Sequence, residues 1–361
     1  GFIMLRSSER YALIALLAGL CLIVLSVAGV QTSTYVMNLV GQIAAFSLLA
    51  LSLDLIWGFC GILSLGHGLY FAIGGYLVAM HLVKVAFEAT GTPPDFMLFM
   101  GWDALPFYYF GMENFFYLMF VILLVSFVVS LIFGYLSFRS RVTGVYFAII
   151  TQAFVYMMML FMFRNDTGFG GNNGMTGFSE IFGMSFRENS TATALCGISL
   201  AILGVALFGC KKLVDSPIGR FMRAVKEDES RLRFLGFDTV HVKLLAWCAS
   251  AVLAAIAGLL YVPQVGIINP RVLSPELSIE IAVWVAIGGR GSLVGAILGA
   301  IVVSGLKFVL TGLVPDLWPF ILAILVIGIV IYLPNGLSDG TKITGLSKSN
   351  KLANFLQKFK P

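Results

Sequence analysis

Charge is scarce in this sequence of 361 residues. Asp, Glu, Lys and Arg make up 11% of it, against about 25% in soluble domains. That excludes an ordinary water-soluble domain, and the 59% hydrophobic content points to a chain that crosses a membrane repeatedly. Cysteine is sparse too. Cys21, Cys60, Cys196, Cys210 and Cys248 include no CxxC pair, which argues against a metal or redox site and leaves them as small buried hydrophobes. The three histidines, His67, His81 and His241, lie far apart, so the sequence offers neither a metal centre nor a catalytic constellation. No GxxxxGK[ST] occurs, and GGRGS at Gly288 to Ser292 does not follow a strand. No polar block is long enough for a nucleotide-binding domain, so no cofactor is expected on this chain. The net charge of +5 does not indicate nucleic acid, because the basic residues fall in loops between apolar runs.

Long apolar runs fill the rest. They fall near residues 11–30, 36–57, 66–86, 114–138, 142–163, 191–211, 243–264, 277–289, 292–312 and 317–333. The expected fold is an all-α polytopic membrane protein of about ten transmembrane helices forming one domain, 1–361. Ser26-Val27-Ala28 resembles a signal-peptide cleavage site, but the run before it is longer than the usual signal core. With both termini cytoplasmic, 18 basic residues fall inside, Lys84, Arg164, Arg187 and Arg271 fall outside, and Lys307 lies within a span. This is the bias of positive-inside topology. The basic stretch 341–361 is a cytoplasmic tail. Spans two to five and seven to ten could form inverted repeats, as in many transporters.

One long polar stretch interrupts the pattern, Asp215 to Phe237, within a cytoplasmic loop at 212–242. A charged island of this size cannot sit in hydrocarbon. Ser216-Pro217 and Gly236 are helix start and stop signals, so a surface helix running to Leu235 is expected, offered to the cytoplasm as a docking element.

Candidate chemistry lies elsewhere. Gly58 to Gly75 is dense in glycine, which breaks a helix at membrane depth or lets helices pack closely. His67 lies within it. Asp54 is an intramembrane acid that needs a donor or a function, and Trp57 shares its helix face. Gln152, mid-span, offers an amide to a substrate or to a neighbouring helix. Asn172 and Asn173 sit in the Gly-rich outer loop Gly168 to Gly177, either as substrate-receiving amides or as a plain turn.

SPIGRFMRAVKEDESRLRFLGF, together with SLDLIWGFCGILSLGHGLYFAIGGY, KLLAWCASAVLAAIAGLLYVPQ and WVAIGGRGSLVGAILGA, resembles ABC-transporter permeases of the branched-chain amino-acid type over nearly the whole chain. The resemblance implies that Gly219, Arg220, Arg223, Ala224, Asp228 and Gly236 form the surface that meets the ATPase. It further implies a heterodimer with a second, homologous permease, two ATPase subunits that use ATP, a periplasmic solute-binding protein, and a place in the bacterial inner membrane. Asp54, the GGNNG loop, Glu229 to Phe234 and Val265 to Pro270 are similar to the urea-transporter branch. The expected substrate is therefore urea, with branched-chain amino acids or short amides as the alternative. A passive channel or an intramembrane enzyme is the reading from another class. A channel would not need the charged helix, and an enzyme would need paired acid and base groups.

Overall fold

The computed structural model describes residues 33–313 and 317–332. The apolar run 11–30, its cleavage site and the tail 341–361 lie outside the described residues. In chain order the helices are α1 (Thr34–Cys60), α2 (His67–Thr90), α3 (Asp95–Met100), α4 (Phe115–Arg139) and α5 (Gly144–Met162). A two-stranded ribbon follows, β1 (Glu180–Ile181) with β2 (Met184–Ser185). Then come α6 (Asn189–Asp215), α7 (Pro217–Phe234), α8 (Thr239–Val265), α9 (Pro275–Gly288), α10 (Leu293–Leu313) and α11 (Trp318–Tyr332).

Seven of these helices, α1, α2, α4, α5, α6, α8 and α10, are long and apolar enough to cross a membrane. The runs expected at 277–289 and 317–333 are helical but short, with 14 and 15 residues. At 1.5 Å per residue α9 covers roughly 21 Å, less than a hydrocarbon core of about 30 Å. The 3₁₀ turn Pro270–Leu273 occupies the chain just before it.

α1 and α8 form the centre. Both are apolar all round, the pattern of a helix buried on every side. α8 is rich in alanine where it meets its neighbours, and small residues let membrane helices approach closely. Its Gly258 lies against the Phe71 carbonyl of α2, while Gly74 of α2 lies against the Ala255 carbonyl of α8. A Cβ at either position would overlap the facing backbone. α4 packs on α8 through a stripe four residues apart, Leu118, Ile122, Ser126, Ser130, Gly134 and Phe138, and leaves its other faces exposed.

The two ends of the bundle differ. At one end lie α7, Arg139, Lys211, Lys212 and Arg290; this is the basic face. The other is aromatic. There Tyr108 and Tyr109 donate to the Thr167 and Gly168 carbonyls at 2.5 and 2.8 Å, knitting two loops together. Met175 pairs with Ile268, which fastens both loops to the α8–α9 connection.

Candidate functional site

The bundle is interrupted where the glycines predicted it. α1 ends at Cys60 on the basic face, and Gly61 closes it with a left-handed cap (φ 77°) whose N–H bonds the Trp57 carbonyl. Residues 61–66 have no regular structure, and α2 begins at His67 inside the protein. Non-helical backbone at this depth survives only where protein satisfies it. The Leu65 N–H donates to Thr151 Oγ1 of α5 at 3.1 Å, and the Gly66 N–H to Ser64 Oγ at 2.9 Å.

His67 organises this break. Its Nε2 meets Ser250 Oγ of α8, and its Nδ1 meets Ser64 Oγ at 3.2 Å. Ser250 already donates its hydroxyl proton to the Ser52 carbonyl of α1 at 2.7 Å. It must therefore accept from His67, which puts the proton on Nε2 and leaves Nδ1 to accept from Ser64. His67 thus joins α1, α2, α8 and the break, the role of a hydrogen-bonded packing residue. Gln152 follows Thr151 on α5; both of its amide atoms are buried without a hydrogen-bond partner among the described residues.

Asp54 and Trp57 sit at the basic face instead. Asp54 Oδ1 accepts the Gly291 N–H at 2.8 Å, so the donor it needs comes from the Gly288–Gly291 bend. Its Oδ2 has no partner among the described residues. The Arg290 guanidinium lies over the Trp57 ring, 5.2 Å from its centroid. One turn on, Lys226 of α7 donates to the Gly58 carbonyl at 2.7 Å. Three contacts therefore tie the end of α1 to the bend and to α7. Asn172 and Asn173 lie far from these groups, exposed on the aromatic face in a 3₁₀ turn.

The charged stretch departs from the expected single helix. α6 runs to Asp215 and α8 starts at Thr239, so the connection is shorter than 212–242. α7 is broken at Asp228, whose backbone is extended (φ −158°, ψ 92°). The Asp228 carboxylate accepts the Arg231 N–H at 3.0 Å and so caps a second short helix. The first part starts as expected, with Pro217 in its first turn and Ser216 Oγ accepting the Gly219 N–H at 3.4 Å. Gly219 is buried against the Val214 carbonyl, where a Cβ would collide. Arg223 donates to the same carbonyl at 2.6 Å and lies over Phe59. Ala224 is half-buried, Arg220 points outward, and Gly236 (φ 84°) ends the second helix.

Sequence reasoning missed the centre of this joint. Glu229 Oε1 accepts from Lys243 at 2.7 Å, Arg233 at 2.5 Å and Thr239 at 2.8 Å. The Lys243 side chain is 1% exposed, and its ammonium lies 5.0 Å from the centroid of Phe138. Burial works to raise the Glu229 carboxyl, yet the hydrogen bonds from Lys243, Thr239 and Arg233 outweigh it and hold it below the ordinary carboxylate range. Beside the cluster a cavity of about 110 Å³ is lined by Gly61, Ile62, Thr143, Gly144 and Lys226. It lies where α7, the break and the start of α5 meet. A second ion pair was also missed, Lys307 of α10 with Glu280 of α9 at 2.7 Å. Its signal was an acid in one span and a lone base in another.

A family model described as the permease component of branched-chain amino acid transport systems matches residues 35–332. The high-affinity branched-chain amino acid transport system permease protein LivM of Salmonella typhimurium is 27% identical over 280 residues, covering 71% of this chain and 59% of that protein. The chain thus spans less than two thirds of that relative's length. The corresponding permease protein BraD of Pseudomonas aeruginosa is 22% identical, covering 72% of this chain and 80% of its own. The autoinducer 2 import system permease protein LsrC of Yersinia enterocolitica is 30% identical over 37% of this chain. No solved structure matches significantly.

Proposed function

The chain belongs to the branched-chain amino acid transport permease family, and from that premise we propose that it is the membrane-spanning subunit of an ATP-driven importer of branched-chain amino acids. It is a multi-pass protein of the inner membrane. Family membership supports the transport reading, and one structural observation carries the coupling. A polar helix pair is anchored from below by the Val214 carbonyl, Gly58 and Lys243, yet turns Arg220 to solvent. An element held on one face and open on the other is built to receive force from a partner. In this reading the basic face is cytoplasmic, where the excess of Lys and Arg belongs. One of the assembly's two ATPase subunits docks on α7, and a second permease packs beside this one. A solute-binding protein delivers substrate to the aromatic face, near Asn172 and Asn173. The solute then passes along the break and Gln152.

Urea is the second reading. Of the residues that favour it, Asp54 holds Gly291, Glu229 holds Lys243, and Ile268 within Val265 to Pro270 pairs with Met175. Each of these has structural work. The exposed Asn172–Asn173 pair is the observation that still favours urea, since its amides offer the donors and acceptors that urea matches.

The experiment is uptake of labelled leucine in cells lacking their own systems and expressing this chain with its partner subunits, competed by urea and by acetamide. Leucine accumulation that needs ATP and resists both competitors is expected. Accumulation of urea without leucine would replace the first reading by the second, and ATP-independent equilibration would make the protein a channel.

A further inference from the structure

Among the described residues, a slot of about 650 Å³ lies open between α4 and α6, in the half of the bundle nearest the basic face. Phe127 and Leu131 of α4 form one wall, and Ala206 and Gly209 of α6 the other. The floor is α8, from His241 to Leu253, with Ala249 near its middle. Among the described residues nothing lies within 4 Å of where a Cβ of Gly209 would stand, so that wall is open. The floor rises roughly 18 Å over its length, slightly more than half of a hydrocarbon core of about 30 Å. An apolar slot one leaflet deep has the dimensions of an acyl chain.

Its end at the basic face is where charge appears. On α4 the stripe Phe127, Leu131, Tyr135 and Arg139 runs at four-residue spacing, so the residues that wall the slot lead to a guanidinium. Arg139 donates to the Tyr135 hydroxyl at 2.8 Å, which fixes it at that end. On α6, Lys212 is exposed in the last turn, three residues beyond Gly209. On α8, His241 lines the slot and lies 2.9 Å from Asp238, a rim carboxylate that also lies within electrostatic reach of Arg139. Two of the three walls therefore end in a cation, Arg139 on α4 and Lys212 on α6.

We propose that this slot binds an anionic phospholipid of the leaflet at the basic face, with one acyl chain along α8 and the phosphate held by Arg139 and Lys212. Basic pockets between transmembrane helices are suited to anionic headgroups. The floor helix also carries Lys243, so the lipid would brace from the bilayer side the helix that α7 holds through Glu229.

The test uses the full chain, purified in detergent, with native mass spectrometry to measure retention of phosphatidylglycerol against phosphatidylcholine of equal chain length. Preference for phosphatidylglycerol by about tenfold or more is expected. The variant Arg139→Ala/Lys212→Ala should lose the preference, and Ala249→Phe, which fills the slot, should lose retention of both lipids at unchanged melting temperature. Should the double variant fold poorly, Lys212→Glu alone must still reduce the preference. Equal retention of the two lipids, or undiminished phosphatidylglycerol on Ala249→Phe, overturns the proposal. So does a disulfide formed in membranes between cysteines placed at Ala249 and within residues 11–30, which would give the slot to this chain's own apolar run.

Discussion

At the scale of single residues, Glu229 and Lys243 are the pair whose removal should be felt most. Lys243→Met takes the cation away and leaves a carboxylate with two donors of the original three. Breaking a fully buried ion pair costs about 3–5 kcal/mol, and Glu229 is only half-buried, so a smaller loss of thermal stability is expected. The pair also fixes a pH dependence. The Glu229 carboxyl is held below its ordinary 4.5, so its contribution is complete above that value and fades as pH falls through the depressed one. Melting temperature measured from pH 7 down to pH 3 should therefore drop more steeply in the wild type than in Glu229→Gln. Parallel curves would show that the carboxylate does not stabilise the joint. Asp54 gives a second test. Asn at this position keeps an oxygen for the Gly291 N–H, whereas Ala leaves that donor unpaired, at a cost of about 1–3 kcal/mol. Asp54→Asn should melt close to the wild type and Asp54→Ala clearly below it. If both fall equally, the charge facing Lys226 matters more than the hydrogen bond.

At the scale of elements, seven of the ten expected spans were legible as helices long enough to cross, because apolar runs of this length have one physical solution in lipid, the closed backbone of a helix. The break after Cys60 was half legible: glycine at that density allows a broken helix or close packing, and the stretch does both, breaking at 61–66 and letting Gly74 rest on the Ala255 carbonyl. The break at Asp228 was hidden. Glu227-Asp228-Glu229 reads as a solvated helical run, and only the preference of Asp for capping positions hinted at a new start. The roles of Asp54 and Lys243 were hidden too, because their partners come from distant segments that meet only after packing. Gly219 shows how a matched motif becomes a contact. Its value lies in the missing Cβ, which lets α7 rest on the Val214 carbonyl. Gly219→Ala should lift α7 from α6. Expression should persist, while ATP hydrolysis by the assembled complex should run without uptake. Full coupling in that variant would mean that α7 tolerates the displacement and is not the transmitting element.

At the scale of the whole molecule, the separation of a basic face from an aromatic one makes orientation measurable. The described cysteines, Cys60, Cys196, Cys210 and Cys248, are buried and should react slowly with thiol reagents. A cysteine placed at Asn172 should label in intact cells with a membrane-impermeant maleimide. One placed at Arg220 should label only after the membrane is opened. The reverse order would invert the topology and remove α7 from the side where ATP is found.

The interrupted segment around His67 also has a history in time. Leu65 waits for Thr151, and His67 for Ser250, which are 86 and 183 residues further along the chain. A ribosome adding about 5–20 residues per second makes Ser250 roughly 10–40 seconds after His67. Leu65 gains its companion about halfway through that interval, while the His67 imidazole waits to its end in an environment that offers few substitutes. The nascent protein must therefore delay the burial of this stretch, leave it near water or lend it to a chaperone. A pause in synthesis before α8 would strand a half-built protein in which the His67 imidazole still lacks Ser250.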